Sequence, residues 1–175
     1  EHRHPAAFDD AMAAHAWATR RHGAPPIILA GESAGGTLAA ALALHVRGLA
    51  TPPRGLALIY PLLGGDTSQG SYVRHAHAPL LSTQDVRDYL HLLAGGADAS
   101  HDPRCTPLAA DDYRGLPPTF ITTAECDPLS SDGETLRDRI AAAGGIAEWH
   151  EEGGLVHGYL RARHRSRRGV PRPMA

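Results

Sequence analysis

Three residues in this sequence have the types and chain order of a hydroxyl nucleophile with its acid and base: Ser33, Asp127 and His157. A serine hydroxyl is a poor nucleophile by itself, so it needs a base to take its proton and an acid to orient that base. Ser33 lies in Gly31-Glu32-Ser33-Ala34-Gly35-Gly36. A Gly-x-Ser-x-Gly run between strand and helix makes a sharp turn that presents the hydroxyl clear of a sheet. Glycines at 31 and 35 are expected because side chains there would collide where the strand passes into the helix. The N–H of Ala34, at the helix start, is the candidate donor to an oxyanion.

Asp127 falls in Ala124-Glu125-Cys126-Asp127-Pro128-Leu129, after an apolar run. It is preferred to Glu125 because it stands farther out from the strand. Asp132, Glu134 and Asp138 belong to the next helix and are expected on its solvated face. His157 follows Glu151-Glu152-Gly153-Gly154-Leu155-Val156, with Gly158 leaving room around its ring. Nucleophile, acid and histidine thus occur in the order associated with this kind of elbow.

The elements that must position these residues are legible from their periodicity. The N-terminal residues to His22 read as a helix, with Pro5 in its first turn, Phe8, Met12, His15 and Thr19 at helical spacing, and Gly23 closing it. Residues 27–30 form a short continuous apolar run suited to a strand buried on both faces. Thr37 to Arg47 reads as a helix, and residues 56–60 as a second buried strand stopped by Pro61. Residues 62–81 have little periodicity, and Ser82 or Thr83 caps a helix to about Leu93. The 62–104 stretch is therefore expected to form a lid or insert, and residues 95–118 are expected to be mostly irregular. Residues 119–123 form a β-branched third strand, 131–143 a helix, and 146–150 a short fourth strand. Strands alternating with helices predict a parallel sheet with helices on its faces. The active site is then expected at the carboxyl ends of the strands.

Composition narrows the possibilities. With 175 residues, 42% apolar and 21% charged, the chain suits one ordinary globular domain. A net charge of -2 gives no reason to expect nucleic acid or a membrane surface as partner. No apolar run approaches the ~20 residues of a membrane span, and no signal peptide is visible. Two cysteines, Cys105 and Cys126, predict free thiols and a cytoplasmic location. The pairs His2 with His4 and His75 with His77 lack the Cys or carboxylate neighbours of a metal site. No metal or organic cofactor is therefore expected.

The segments Gly31 to Gly36, Tyr60-Pro61, Leu116-Pro117-Pro118, Ala124 to Leu129 and His157-Gly158-Tyr159 resemble the hormone-sensitive-lipase-like bacterial carboxylesterases, a branch of the α/β-hydrolases. The resemblance runs from residue 1 to about residue 165. It implies a Ser33, Asp127 and His157 triad acting on short-chain acyl esters without a cofactor. The family's His-Gly-Gly-Gly oxyanion loop is absent, and only residues 1–32 precede Ser33. The expectation is therefore a partial α/β-hydrolase fold: the C-terminal portion of a single domain, 1–175, without its N-terminal strands. Oxyanion-hole donors are worth roughly 10²–10³ in rate each, so Ser33 with Ala34 alone would be a feeble catalyst. Two rivals stand beside the esterase: an impaired remnant serving as an interaction module, and an amidase or other acyl-transfer enzyme using the same triad. At the far end, residues 161–168 read as helix with a solvated arginine face, broken by Gly169 to Pro173.

Overall fold

The computed structural model describes residues 2–21, 26–98 and 100–162. The expected turn at Gly23, and the helix and its break beyond Ala162, lie outside the described residues. Four parallel strands form one sheet in the order β1-β2-β3-β4. They are β1 (Ile28–Glu32), β2 (Gly55–Ile59), β3 (Thr119–Cys126) and β4 (Ala147–Val156). The helices are α1 (Ala6–Arg21), α2 (Ala34–Val46), the single turn α3 (Ser71–Arg74), α4 (Thr83–Ala94) and α5 (Ser130–Ala142). Two short 3-10 turns, Pro107–Ala109 and Tyr159–Ala162, complete the description.

The core lies between the sheet and its helices. Ala39, Ala40 and Ala43 of α2 pack with Leu56 and Leu58 of β2, Ile121 of β3, and Leu136 and Ile140 of α5. Alanines on α2 bring that helix close to the sheet, which the strand-helix junction at Ser33 requires. A second cluster of Tyr72, Leu81, Val86 and Leu129 fastens α3 and α4 beside the acid-bearing turn. Ser82 caps α4 in a capping box with Asp85, and Gly95, at φ 65°, ends it.

Three expectations change at the level of elements. β1 is not buried on both faces: it lies at the sheet edge among the described residues, and Ile28 is 67% exposed. β4 runs on to Val156 instead of ending near His150. Its Gly153-Gly154 pair reads as a loop in sequence, but the N–H of Gly154 donates to Glu125 Oε2 at 2.6 Å and pairing with β3 resumes at Val156. Asp132 leaves the solvated face assigned to it: it is buried, at helical spacing with buried Leu136 and Ile140, while Glu134 and Asp138 are exposed.

Candidate active site

Each site residue stands one position past the end of a parallel strand: Ser33 after β1, Asp127 after β3 and His157 after β4. Register brings the last two level. Thr123 pairs with Glu151 and Ala124 with Glu152, but Cys126 pairs with Val156, because an irregularity in β4 absorbs extra residues. Such a bulge re-aims a strand end. Asp127 and His157 therefore leave the sheet side by side. Gly158, at φ 76°, turns the chain immediately after the histidine. His157 lies over the carboxyl edge of the sheet, with its ring against Tyr60 just past β2 and within hydrogen-bond reach of Ser33 just past β1.

Ser33 has φ 53° and ψ -122°, a strained backbone for a residue with a side chain. The strain is held by hydrogen bonds: the N–H of Ser33 donates to the Ile59 carbonyl at 2.9 Å, and its carbonyl accepts from Gly36 and Thr37. Gly31 is indispensable to this turn, since a Cβ there would lie 2.1 Å from the Gly35 carbonyl oxygen. The expectation for Gly35 does not hold in the same form, because a Cβ at Gly35 would meet nothing within 4 Å. The second crowded position is Gly36, whose Cβ would lie 2.8 Å from Pro61 Cβ. Ala34 is the first residue of α2, so its N–H has no acceptor within the helix.

The three expected residues form one hydrogen-bonded chain. Ser33 Oγ is 2.8 Å from His157 Nε2, and His157 Nδ1 is 2.7 Å from Asp127 Oδ2. An ionised carboxylate only accepts, so Nδ1 carries the proton and Nε2 is free to accept from the serine. Asp127 is 0% exposed, and its other oxygen, Oδ1, accepts the N–H of Leu129 at 2.9 Å. The chain opens onto a cavity of about 420 Å³ lined by Ser33 and His157 with apolar Phe8, Leu62, Val86, Leu90 and Leu129. Residues 62–104 contribute much of that lining, including Leu80, Leu81 and Tyr89.

Tyr60 belongs to the site and was not picked out as a site residue in the sequence. It follows β2, with φ 37°, and its ring meets the His157 ring edge-on at 4.8 Å between centroids. Its hydroxyl donates to Glu32 Oε2 at 2.5 Å, and Arg161 pairs with the other oxygen of Glu32. The hydrogen bond from Tyr60, followed by that from Arg161, holds the Glu32 carboxyl below its usual range. Burial, reinforced by Glu32, pushes the Tyr60 phenol up, so it remains a donor. Glu32 thus ties the turn at Ser33 to the chain just after His157. The available signal was position: Tyr60 ends the strand between those carrying Ser33 and Asp127.

Of the histidines set aside in sequence, His4 lines the same cavity as Ser33 and His157. His4 Nε2 pairs with Asp102 Oδ2 at 2.9 Å, and Asp102 is also held by Arg104. Cys105 is buried and Cys126 half-buried. No helix among the described residues is long and apolar enough to cross a membrane.

Residues 1–161 match the family described as the alpha/beta hydrolase fold. The esterase LipI of Mycobacterium tuberculosis is 38% identical over 167 residues, which cover 91% of this chain and 52% of that protein. The carboxylesterase NlhH of the same organism is 39% identical over 169 residues, covering 91% and 53%. A solved hormone-sensitive lipase from a metagenome library superposes with a TM-score of 0.85 at 31% identity, over 93% of this chain and 55% of that one. The chain spans about half the length of the curated relatives it matches.

Proposed function

The chain belongs to the alpha/beta hydrolase fold family, and from that premise we propose that it carries the catalytic residues of a carboxylic ester hydrolase. The observation that supports this reading best is the unbroken hydrogen-bonded chain from Ser33 through His157 to buried Asp127, at the wall of an apolar cavity. His157 Nε2 takes the Ser33 proton as Oγ attacks the acyl carbonyl carbon. Asp127 keeps the imidazole in the right tautomer and stabilises the imidazolium. The Ala34 N–H donates to the oxyanion of the tetrahedral intermediate. His157 then returns the proton to the departing alkoxide, leaving the acyl group on Ser33. Water, deprotonated by the same histidine, releases the acid and restores the serine.

The names of the related esterase and carboxylesterase favour esters as substrates. Short acyl chains fit an apolar cavity whose lining comes mainly from α4, the 62–81 segment and Phe8. Residues 62–104 act in this reading as part of a lid over the acyl group. Turnover of 4-nitrophenyl acetate and butyrate, compared with a Ser33→Ala variant, tests the proposal. Release of 4-nitrophenolate well above the variant supports it, and rates equal to the variant overturn it.

A further inference from the structure

The turn that carries Asp127 holds a second buried carboxylate that this chemistry does not use. Asp132 is the third residue of α5 and is 1% exposed. Its Oδ2 alone accepts three hydrogen bonds, from the Leu63 N–H at 2.9 Å, the Gly65 N–H at 3.3 Å and the Tyr72 hydroxyl at 2.9 Å. All three donors are uncharged and come from residues 62–72. Burial pushes the Asp132 carboxyl up to about 6, against the pull of these donors, and the nearby charge of Asp127 pushes the same way. A buried carboxylate satisfied only by neutral donors is costly for folding. Its contacts therefore call for a role.

Those contacts form a bridge between the acid and the nucleophile. At one end, Ser71 Oγ donates to the carbonyl of Pro128, the residue after Asp127, at 2.5 Å. Ser131 and Ser71 also exchange hydrogen bonds, the N–H of each donating to the hydroxyl of the other at 2.7 and 2.9 Å. At the other end, Thr37 Oγ1 in the first turn of α2 donates to the Leu62 carbonyl at 2.5 Å. Two glycines permit the close approach: a Cβ at Gly65 would lie 2.1 Å from Asp132 Oδ1, and one at Gly70 would lie 2.6 Å from Ser131 Oγ.

The geometry points to Asp132 as a positioning residue for Asp127: by clamping residues 62–72 onto the turn at 127–132, it fixes the acid relative to the helix that follows Ser33. Asp132 affects turnover only if Ser33, His157 and Asp127 act as proposed above, so its test needs a readout independent of turnover. That readout is the low-field proton resonance of His157 Nδ1–H bonded to Asp127, measured in the unsubstituted protein and in Asp132→Ala, Asp132→Asn and Tyr72→Phe. Melting temperature, kcat and KM for 4-nitrophenyl butyrate are measured on the same samples.

The expected result is loss or marked broadening of the resonance in Asp132→Ala. Its kcat should fall on the order of tenfold to 100-fold, as for a small misplacement of a catalytic group, with KM changed by less than about threefold. Asp132→Asn keeps an acceptor oxygen and should recover part of both signals, and Tyr72→Phe should fall between. A lower melting temperature with an unmoved resonance in the folded variants would overturn the proposal, leaving Asp132 a structural residue only. If Asp132→Ala does not fold, the other two variants decide by the same criterion. If the unsubstituted protein shows no turnover above Ser33→Ala, the hydrolase reading fails, and the resonance alone decides the role of Asp132.

Discussion

Replacing Gly31 by alanine probes the strained elbow at its tightest point. The added Cβ would lie 2.1 Å from the Gly35 carbonyl oxygen, 2.3 Å from the Gly35 carbonyl carbon and 2.7 Å from the Gly36 nitrogen. All three are backbone atoms of the first turn of α2, so no rotamer change relieves the overlap. Inserting a methyl group into packed structure costs about 1–3 kcal/mol, and a clash that only backbone movement can relieve belongs at the upper end, about 3 kcal/mol. For a protein of this size about 1 kcal/mol corresponds to about 2–4 °C, so Gly31→Ala should melt roughly 6–12 °C lower. Gly35→Ala is the internal control. Its Cβ meets nothing within 4 Å, and alanine is favoured over glycine in a helix by up to about 1 kcal/mol. Its melting temperature should stay level or rise slightly. Circular dichroism melts of both variants at neutral pH provide the comparison. A Gly31→Ala protein melting within about 2 °C of the parent, or below which Gly35→Ala falls, would refute the steric reasoning.

Asp127→Asn should leave the fold in place and lower kcat by about 10⁴, because the amide no longer holds the imidazole in its accepting tautomer; steady-state rates on 4-nitrophenyl butyrate check it. Tyr60→Phe keeps the ring against His157 but removes the hydrogen bond to Glu32. It should cost roughly 1.5 kcal/mol, the low end for a bond to a charged acceptor, as measured by urea unfolding. The Asp132 carboxyl is raised from 3.8 to about 6. Between those values the folded state holds a proton that the unfolded state has lost. The stability tied to neutral Asp132 is therefore complete below 3.8 and lost as pH rises through 6, by about 3 kcal/mol. Asp132→Asn should accordingly gain about that much on the parent between pH 4 and pH 7 in urea unfolding, and a pH-independent difference would count against it.

The sheet, its helices and the three residues at its strand ends were legible because each depends on local pattern. Apolar runs bounded by Gly and Pro marked the strands, and the elbow motif marked Ser33. What escaped depends on pairing between distant segments. The glycines of β4 look like a loop until β3 is beside them, and the bulge that levels Asp127 with His157 exists only in that pairing. Asp132 looks like a solvated helix residue until residues 62–72 fold over it, although its spacing with Leu136 and Ile140 was a usable hint. Tyr60 becomes a site residue only because the His157 chain crosses back over β2. The crowding expected at Gly35 falls instead at Gly36, because it comes from Pro61, which periodicity cannot place.

The central claim is that Ser33 is a nucleophile activated by His157. The most direct measurement is covalent labelling with a fluorophosphonate ester, followed by peptide mass spectrometry of the parent and a His157→Ala variant. The account predicts a single adduct on Ser33, within the peptide containing Gly31 to Gly36, formed at a rate that collapses in the variant. An adduct on a different residue, or equal labelling of Ser33 without His157, would contradict it.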